Sequence, residues 1–473
     1  MCSQLSVITL FMLIVSLGCS AVAPLALHPE NPRYFLFRGK PTVLISSAEH
    51  YGAVLNSEFD QERYLNALSA DGLNHSRVWV GVYREKIGVF NIAGNTLAPV
   101  DGKFICPWAR SDQPGCVDGG NRFDLTKWDD AYFIRLRNFA RLASARGVIL
   151  EINLFCPFYT DEMWALSPMN AQNNINHLGK LTRNEPYTLD RHGGLLEVQE
   201  KLARKVVAEL KDFDNIYYEI MNEPYVCKVP MDWQRHMVRV LVGAQRACGD
   251  RHLISMNIAN EKEKVTEPDP AVSIFNFHYA WPPETVEMND HLRGVIGENE
   301  TGIVGGSDFF FRREGWAFIL AGGGLFSNLD YSFTVGHEDG TFPYPPTQPG
   351  GGSVRLRKQL SILKRFIDGF DFVRMSPLRS GIRIIDRKDL GVYALAETGK
   401  HYAIYLCTMS KEAPTDAGPA ELEIELPPGT YRGDWISTLT GEVLQTQPIT
   451  SSGRARLLSP KITGDIALRI DAE

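Results

Sequence analysis

Two stretches of this 473-residue chain end a short apolar run in carboxylates. They are Tyr217-Tyr218-Glu219-Ile220-Met221-Asn222-Glu223-Pro224 and Gly294-Val295-Ile296-Gly297-Glu298-Asn299-Glu300-Thr301-Gly302. An apolar run that stops at a charge reads as a strand with an acid at its C-terminal tip, where barrels and open sheets present catalytic groups. Two carboxylates offered from two strand tips suit acid/base chemistry on a glycosidic bond. Side chains alternate faces along a strand, so Glu219, Met221 and Glu223 fall on one face while Asn222 points elsewhere. Glu219 lies about 13 Å deeper than Glu223, at about 3.3 Å per residue, and reads as a buried charge in need of a cationic partner. Glu298 and Glu300 also share a parity, and strand geometry alone permits either as the second acid.

The elements that must hold these acids follow a regular rhythm. Strands are expected at 43–47, 74–80, 148–154, 216–221, 253–258, 273–277, 294–297 and 325–330. Between them, apolar residues recur at helical spacing over 59–70, after the capping-type Asn56, and over 131–146, 195–213, 233–247 and 313–320. Eight strands alternating with helices over about 290 residues match the size of an α/β fold of the (β/α)8 TIM-barrel type. An open doubly wound sheet fits the alternation too, but no Gly-x-Gly-x-x-Gly follows the first strand. A last helix is expected at 353–370. Short strands then follow at 382–385, 391–396, 402–407, 421–425, 429–436 and 466–470, the pattern of a small all-β sandwich. The expected division is an export signal over 1–23, a barrel over 24–372 and a β-sandwich capping it over 373–473.

Asn222-Glu223-Pro224 after an apolar strand resembles the acid/base motif of glycoside hydrolase clan A, whose best-known member is family 5. In that clan the acid/base Glu ends strand four and the nucleophile ends strand seven. A strand count made without the motif places Glu223 after the fourth strand and Glu300 after the seventh. Arg77, in Asn74-His75-Ser76-Arg77-Val78-Trp79 on strand two, and His278-Tyr279 at the end of strand six are candidates for further marks of the clan. Glu300-Thr301-Gly302 resembles the Glu-x-Gly that follows strand seven in many members, which favours Glu300 over Glu298. The resemblance spans nearly the whole barrel and singles out no substrate. It implies a retaining hydrolase of β-linked poly- or oligosaccharide, with Glu223 as acid/base, Glu300 as nucleophile and no cofactor. In such an enzyme an arginine keeps the nucleophile ionised, the role expected of Arg77, with a salt bridge to Glu219 as the competing one. Asn222 is expected on the sugar 2-hydroxyl, and His278 and Tyr279 beside the nucleophile.

Sugar rings stack their apolar faces on aromatics and need polar partners for their hydroxyls. Rim loops offer both: His50 and Tyr51 after strand one, Phe155 and Trp164 after strand three, Trp281 after strand six, and Asp330 and Tyr331 after strand eight. The long loop with Trp108 is expected to wall one side. A net charge of −7 argues against nucleic acid or an anionic membrane as the main partner. Residues 5–17 are apolar but short for a bilayer span, which reads as export. Ser16-Leu17-Gly18-Cys19 loosely resembles a lipoprotein box with Cys19 as lipid acceptor, and simple cleavage near Ala21–Ala23 fits as well. Export permits disulfides. Cys106 and Cys116 are the best pair, Cys156 and Cys227 a second, while Cys248 and Cys407 read as buried thiols. No His/Cys cluster has zinc spacing, so no metal site is expected. Sequons at Asn74 and Asn299 lie in expected strands and read as chance. The alternative function is a catalytically inactive glycan-binding barrel at the cell surface, although a binding protein has no need of two catalytic acids.

Overall fold

The computed structural model describes residues 23–302, 307–410 and 418–473. The expected export signal, Cys19 included, lies outside the described residues except for its last position. Eight parallel strands form the barrel: β1 (Leu44–Ala48), β2 (His75–Trp79), β3 (Ile149–Phe155), β4 (Ile216–Met221), β5 (Ile254–Asn260), β6 (Ile274–His278), β7 (Val295–Glu300) and β8 (Leu325–Leu329). They pair in the order β1-β8-β7-β6-β5-β4-β3-β2. Between β1 and β2 a side chain closes the ring. The Asn74 amide donates to Val43 O at 2.9 Å and accepts from Ile45 N at 2.9 Å, so the Asn74 sequon is spent on barrel closure. Each expected strand is present, and β7 runs three residues beyond its expected end, to Glu300.

Helices Asp130–Ala145, Leu195–Leu210, Met231–Cys248 and Val354–Asp368 each bury one apolar stripe, whereas Asp308–Leu320 is buried almost all round. The first helix of the chain, Gln61–Ala70, is capped by Asp60, which accepts from the backbone of Glu62 and Arg63; the cap is not Asn56. The Asn56 carboxamide instead accepts from Glu58 N in the preceding turn. The loop holding Trp108 is an antiparallel hairpin, Trp108–Pro114 with Asn121–Trp128. Its first strand is mostly exposed and polar, so no apolar alternation marks it in the sequence. Both expected disulfides are absent, because the thiols face other partners. Cys106 Sγ points to Trp108 O at 3.6 Å and Cys116 Sγ to Asn173 Oδ1 at 3.3 Å. Cys156 Sγ lies 3.7 Å from the Tyr159 hydroxyl and Cys227 Sγ 3.7 Å from Phe158 O. Cys407 is buried, but Cys248 is exposed, since it ends the helix Met231–Cys248 at the solvent side of the Gly249 cap.

C-terminal to the barrel, a six-stranded antiparallel sheet and a three-stranded one enclose a core of their own. Three of their strands, Ser376–Pro377, Val443–Ser451 and Ala455–Leu458, were not legible in the sequence; the second is an edge strand exposed along most of its length. Helix Asp308–Leu320 joins this module to the barrel. Arg312 grips Asp465 with two hydrogen bonds of 2.9 Å, and Trp316 stacks on Tyr405. Both partners of that ion pair are buried. Buried pairs of this kind contribute little net stability, but losing one partner strands the other charge.

Candidate active site

A cavity of about 420 Å³ opens at the C-terminal ends of the barrel strands, and both candidate acids line it. Glu223 follows β4 with a backbone φ of 38°, and the same left-handed turn recurs at Tyr51 (φ 62°) and Tyr279 (φ 51°). A non-glycine residue in this region costs about 1–2 kcal/mol, and such strain clusters at functional sites. Here the three residues lie just past the ends of β1, β4 and β6, and their side chains line the cavity. The turn also breaks the strand alternation expected of Asn222. Its Oδ1 accepts from Arg77 at 2.9 Å and its Nδ2 donates to the Tyr159 hydroxyl at 2.9 Å, so it faces the site rather than away from it.

A second irregularity separates Glu298 from Glu300. Strand β6 pairs Phe277 with Glu298 but the next residue, His278, with Glu300, so Asn299 is an extra residue in β7. A bulge of this kind re-aims side chains. Glu298 and Glu300 therefore do not share a face. Asn299 turns inward, donating to Glu151 and Glu219, and Glu300 enters the cavity. Glu298 is buried outside it, accepting from Ala280 N. Burial and the charge of Glu314 push the Glu298 carboxyl well above the usual range.

Every oxygen of the two cavity acids has a partner. Glu300 Oε2 accepts from Tyr51 Oη at 2.8 Å and Arg77 Nη1 at 3.1 Å, and Oε1 from Tyr279 Oη at 2.9 Å. Glu223 Oε2 accepts from Tyr159 Oη at 2.7 Å, and Oε1 lies 3.1 Å from His278 Nδ1. His278 Nδ1 is also 3.6 Å from Glu300 Oε1, so the imidazole sits between the acids. Oxygens of Glu223 and Glu300 approach within 4.8 Å of each other.

Below this pair, the fully buried Arg77 contacts both acids that the sequence set against each other as its partner. It bonds Glu300, and also Glu151 at 2.7 Å and Glu219 at 2.5 Å. Burial alone lowers the guanidinium pKa, but these carboxylates hold it well above its ordinary value. Replacing Arg77 by Met leaves buried acids without their cation. It should destabilise the fold by about 3–5 kcal/mol, measurable as a lower midpoint in urea unfolding.

Burial pushes the Glu223 carboxyl up, but His278 and the Tyr159 hydroxyl outweigh it and hold the acid below its ordinary range. His278 moves the other way. Burial lowers its pKa, yet Glu300 and Glu223 raise it above the ordinary histidine value. The two shifts favour the proton on His278 over Glu223. Glu223, His278 and Glu300 form the one group of three potential metal ligands among the described residues. The guanidinium already fixed 3.1 Å from Glu300 opposes a second cation there.

Two expected site residues lie elsewhere. After the turn at Tyr279 the chain folds back, with Trp281 N donating to Tyr279 O, and the Trp281 indole packs beneath Arg313 and beside Tyr393 of the β-module. Asp330 is fully buried, bonded to Arg357 at 2.6 Å and Ser47 at 2.9 Å, while its neighbour Tyr331 lines the cavity. Phe155 and Trp164 are also core: the first packs on Tyr187 and Trp233, and the second donates its indole N–H to Leu181 O. The hairpin with Trp108 contributes no lining residue. His50 and Tyr51 do line the cavity. Among the lining residues that went unread in the sequence are Tyr159, Glu85 and Phe90. Tyr159 lies on the loop after strand three, between two aromatics that were singled out. The others are on the loop after strand two, which carries no motif.

Solved structures share this architecture over nearly the whole chain. A glycoside hydrolase family 5 protein from Bacteroides vulgatus ATCC 8482 superposes with a TM-score of 0.61 at 14% identity, covering 95% of this chain and 93% of its own. A second glycoside hydrolase gives 0.62 at 14% identity, over 95% and 97%. The fold is that of clan A glycoside hydrolases of the family 5 type. In sequence, residues 89–208 match a domain of unknown function (DUF6298). No curated protein matches the chain.

Proposed function

We propose that the protein is a retaining glycoside hydrolase acting on β-linked poly- or oligosaccharide, with Glu300 as nucleophile and Glu223 as acid/base. The observation that carries this reading is the pair's spacing. Carboxyl groups about 5–5.5 Å apart suit double displacement, whereas inverting enzymes need about 6.5–9.5 Å to admit a water. Oxygens within 4.8 Å, facing one cavity, support the first. Arg77, Tyr51 and Tyr279 donate three hydrogen bonds that hold Glu300 in place to attack the anomeric carbon. As that bond forms, the leaving glycosidic oxygen takes a proton from Glu223. The proton is at hand on His278, one hydrogen bond away. Water then attacks the glycosyl ester, Glu223 accepts its proton, and Glu300 is released unchanged. Asn222, held by Arg77 and Tyr159, stands beside both acids as the candidate partner of the sugar 2-hydroxyl.

The test is stereochemical. Proton NMR of the first product from a β-glycoside should show the β-anomer before mutarotation, and an α-anomer would refute double displacement. The pH profile follows from the proton on His278. Its pKa is raised, so the proton stays bound above pH about 6.5, the ordinary histidine value, and leaves as pH rises further. The basic limb of kcat/KM should lie above that value; a limb below it contradicts this placement of the proton. Export is part of the proposal, resting on the apolar run at 5–17, with Cys19 as a possible lipid acceptor. Among the described residues no helix is long and apolar enough to cross a membrane.

A further inference from the structure

The cavity is walled on one side by two loops that fasten to each other. The loop after β2 passes through the turn Val89–Asn91, where Phe90 (φ 52°) and Asn91 (φ 58°) are consecutive left-handed residues. Such strain persists only where the surroundings impose it, and here the loop after β8 holds it. Asn91 Nδ2 donates to Thr347 O at 3.2 Å, and Ala93 N donates to Gln348 Oε1 at 3.0 Å. Gly94 follows with a φ of 64°, packed so closely that a Cβ there would stand 2.6 Å from Thr334 Cγ2. The second loop is itself drawn shut at its base. Tyr331 N donates to Gly351 O at 2.9 Å and Tyr344 Oη to Gly352 O at 2.6 Å. Phe90 and Ile92 from one loop and Pro349 from the other line the cavity beside this seam.

The seam's place in the ring decides what it does. β1 stands between β8 and β2, so the seam spans the rim above β1. In the same ring β8 is opposite β4, the strand that presents Glu223. The acid protonates the leaving oxygen, so the leaving group sits toward β4. The sugar being transferred then extends away from it, toward β8 and β1. A chain cut in its interior carries further sugars on both sides of the broken bond and needs a groove open at both ends. Across from the seam, the lining residues Val226 and Asn260, at the ends of β4 and β5, are exposed. The cavity's volume of about 420 Å³ lies toward the lower end of the roughly 300–1,000 Å³ of small-molecule sites, which suits a chain end better than a passing chain. Resting on the glycosidase reading above, we propose that the seam blocks the glycone side of the site and makes the enzyme exo-acting, removing sugars from the non-reducing end of its substrate.

The experiment gives the full chain β-linked oligosaccharides with a fluorophore on the reducing end, each either free or capped by a ketal on its non-reducing terminal sugar. Free chains should shorten from the unlabelled end, and capping should lower kcat/KM by about 100-fold or more. The double variant Asn91→Ala with Gln348→Ala removes both hydrogen bonds of the seam. It should cleave capped chains about tenfold faster than wild type, while kcat/KM on a single-sugar aryl β-glycoside changes by less than about threefold. Asn91→Ala alone, at an exposed position, tests the same gain with less risk to the fold. Wild-type cleavage of capped chains at the rate of free ones, or early products from the middle of the chain, overturns the proposal. So does either variant if it stays active on the aryl glycoside and leaves capped chains as inert as before. A wild type that cleaves no glycoside at all refutes the hydrolase reading and this inference with it, whereas internal cleavage refutes the inference alone.

Discussion

Replacing Glu300 by Ala should lower kcat by about 10⁵-fold, the scale on which enzymes lose activity with their nucleophile. The loss has one physical source. Without the carboxylate no covalent glycosyl ester forms, and the Arg77, Tyr51 and Tyr279 donors that hold Glu300 have nothing to present. The fold should survive, because Arg77 keeps Glu151 and Glu219 as counter-charges. Azide supplied to this variant with an activated β-glycoside can enter only from the vacated face and should yield an α-glycosyl azide. Activity within tenfold of wild type would remove Glu300 from the chemistry.

The acid/base variant has a different signature. Glu223→Ala should slow cleavage of sugar leaving groups by about 10²–10⁴-fold, the usual worth of a general acid. Aryl glycosides with acidic leaving groups, which depart unprotonated, should lose far less in the first step. Azide should then accelerate turnover from the face that Glu223 occupied and yield a β-glycosyl azide. His278 sharpens the test, since it would be left beside Glu300 with no other acid to protonate. A uniform loss across leaving groups would show that Glu223 positions rather than protonates.

Much of this site was readable because it is carried by strand order. Apolar runs of strand length count to four before Glu223 and to seven before Glu300, and the barrel keeps that order. Parity was the weaker guide. It treated Glu298 and Glu300 as equivalent, and the extra residue at Asn299 makes them opposites. It sent Asn222 away from the cavity, and the left-handed turn at Glu223 brings it back. Such local irregularities leave little mark on composition, yet they decide which side chain is presented. Loop residues were harder still. Trp281 and Asp330 occupy rim positions in the sequence, but Arg313 and Arg357, distant in the chain, draw them into packing. Glu85 and Tyr159 reach the cavity through loops whose paths depend on tertiary contacts, so neither announces itself by spacing.

The most direct test of the central claim is covalent trapping with a 2-fluoro β-glycoside bearing a good leaving group, followed by peptide mass spectrometry. Fluorine at C2 slows both steps and the good leaving group restores the first, so the glycosyl ester accumulates. The predicted result is a single adduct on Glu300. An adduct on Glu298 or Glu223, or hydrolysis of the parent glycoside without any trapped ester, would contradict it.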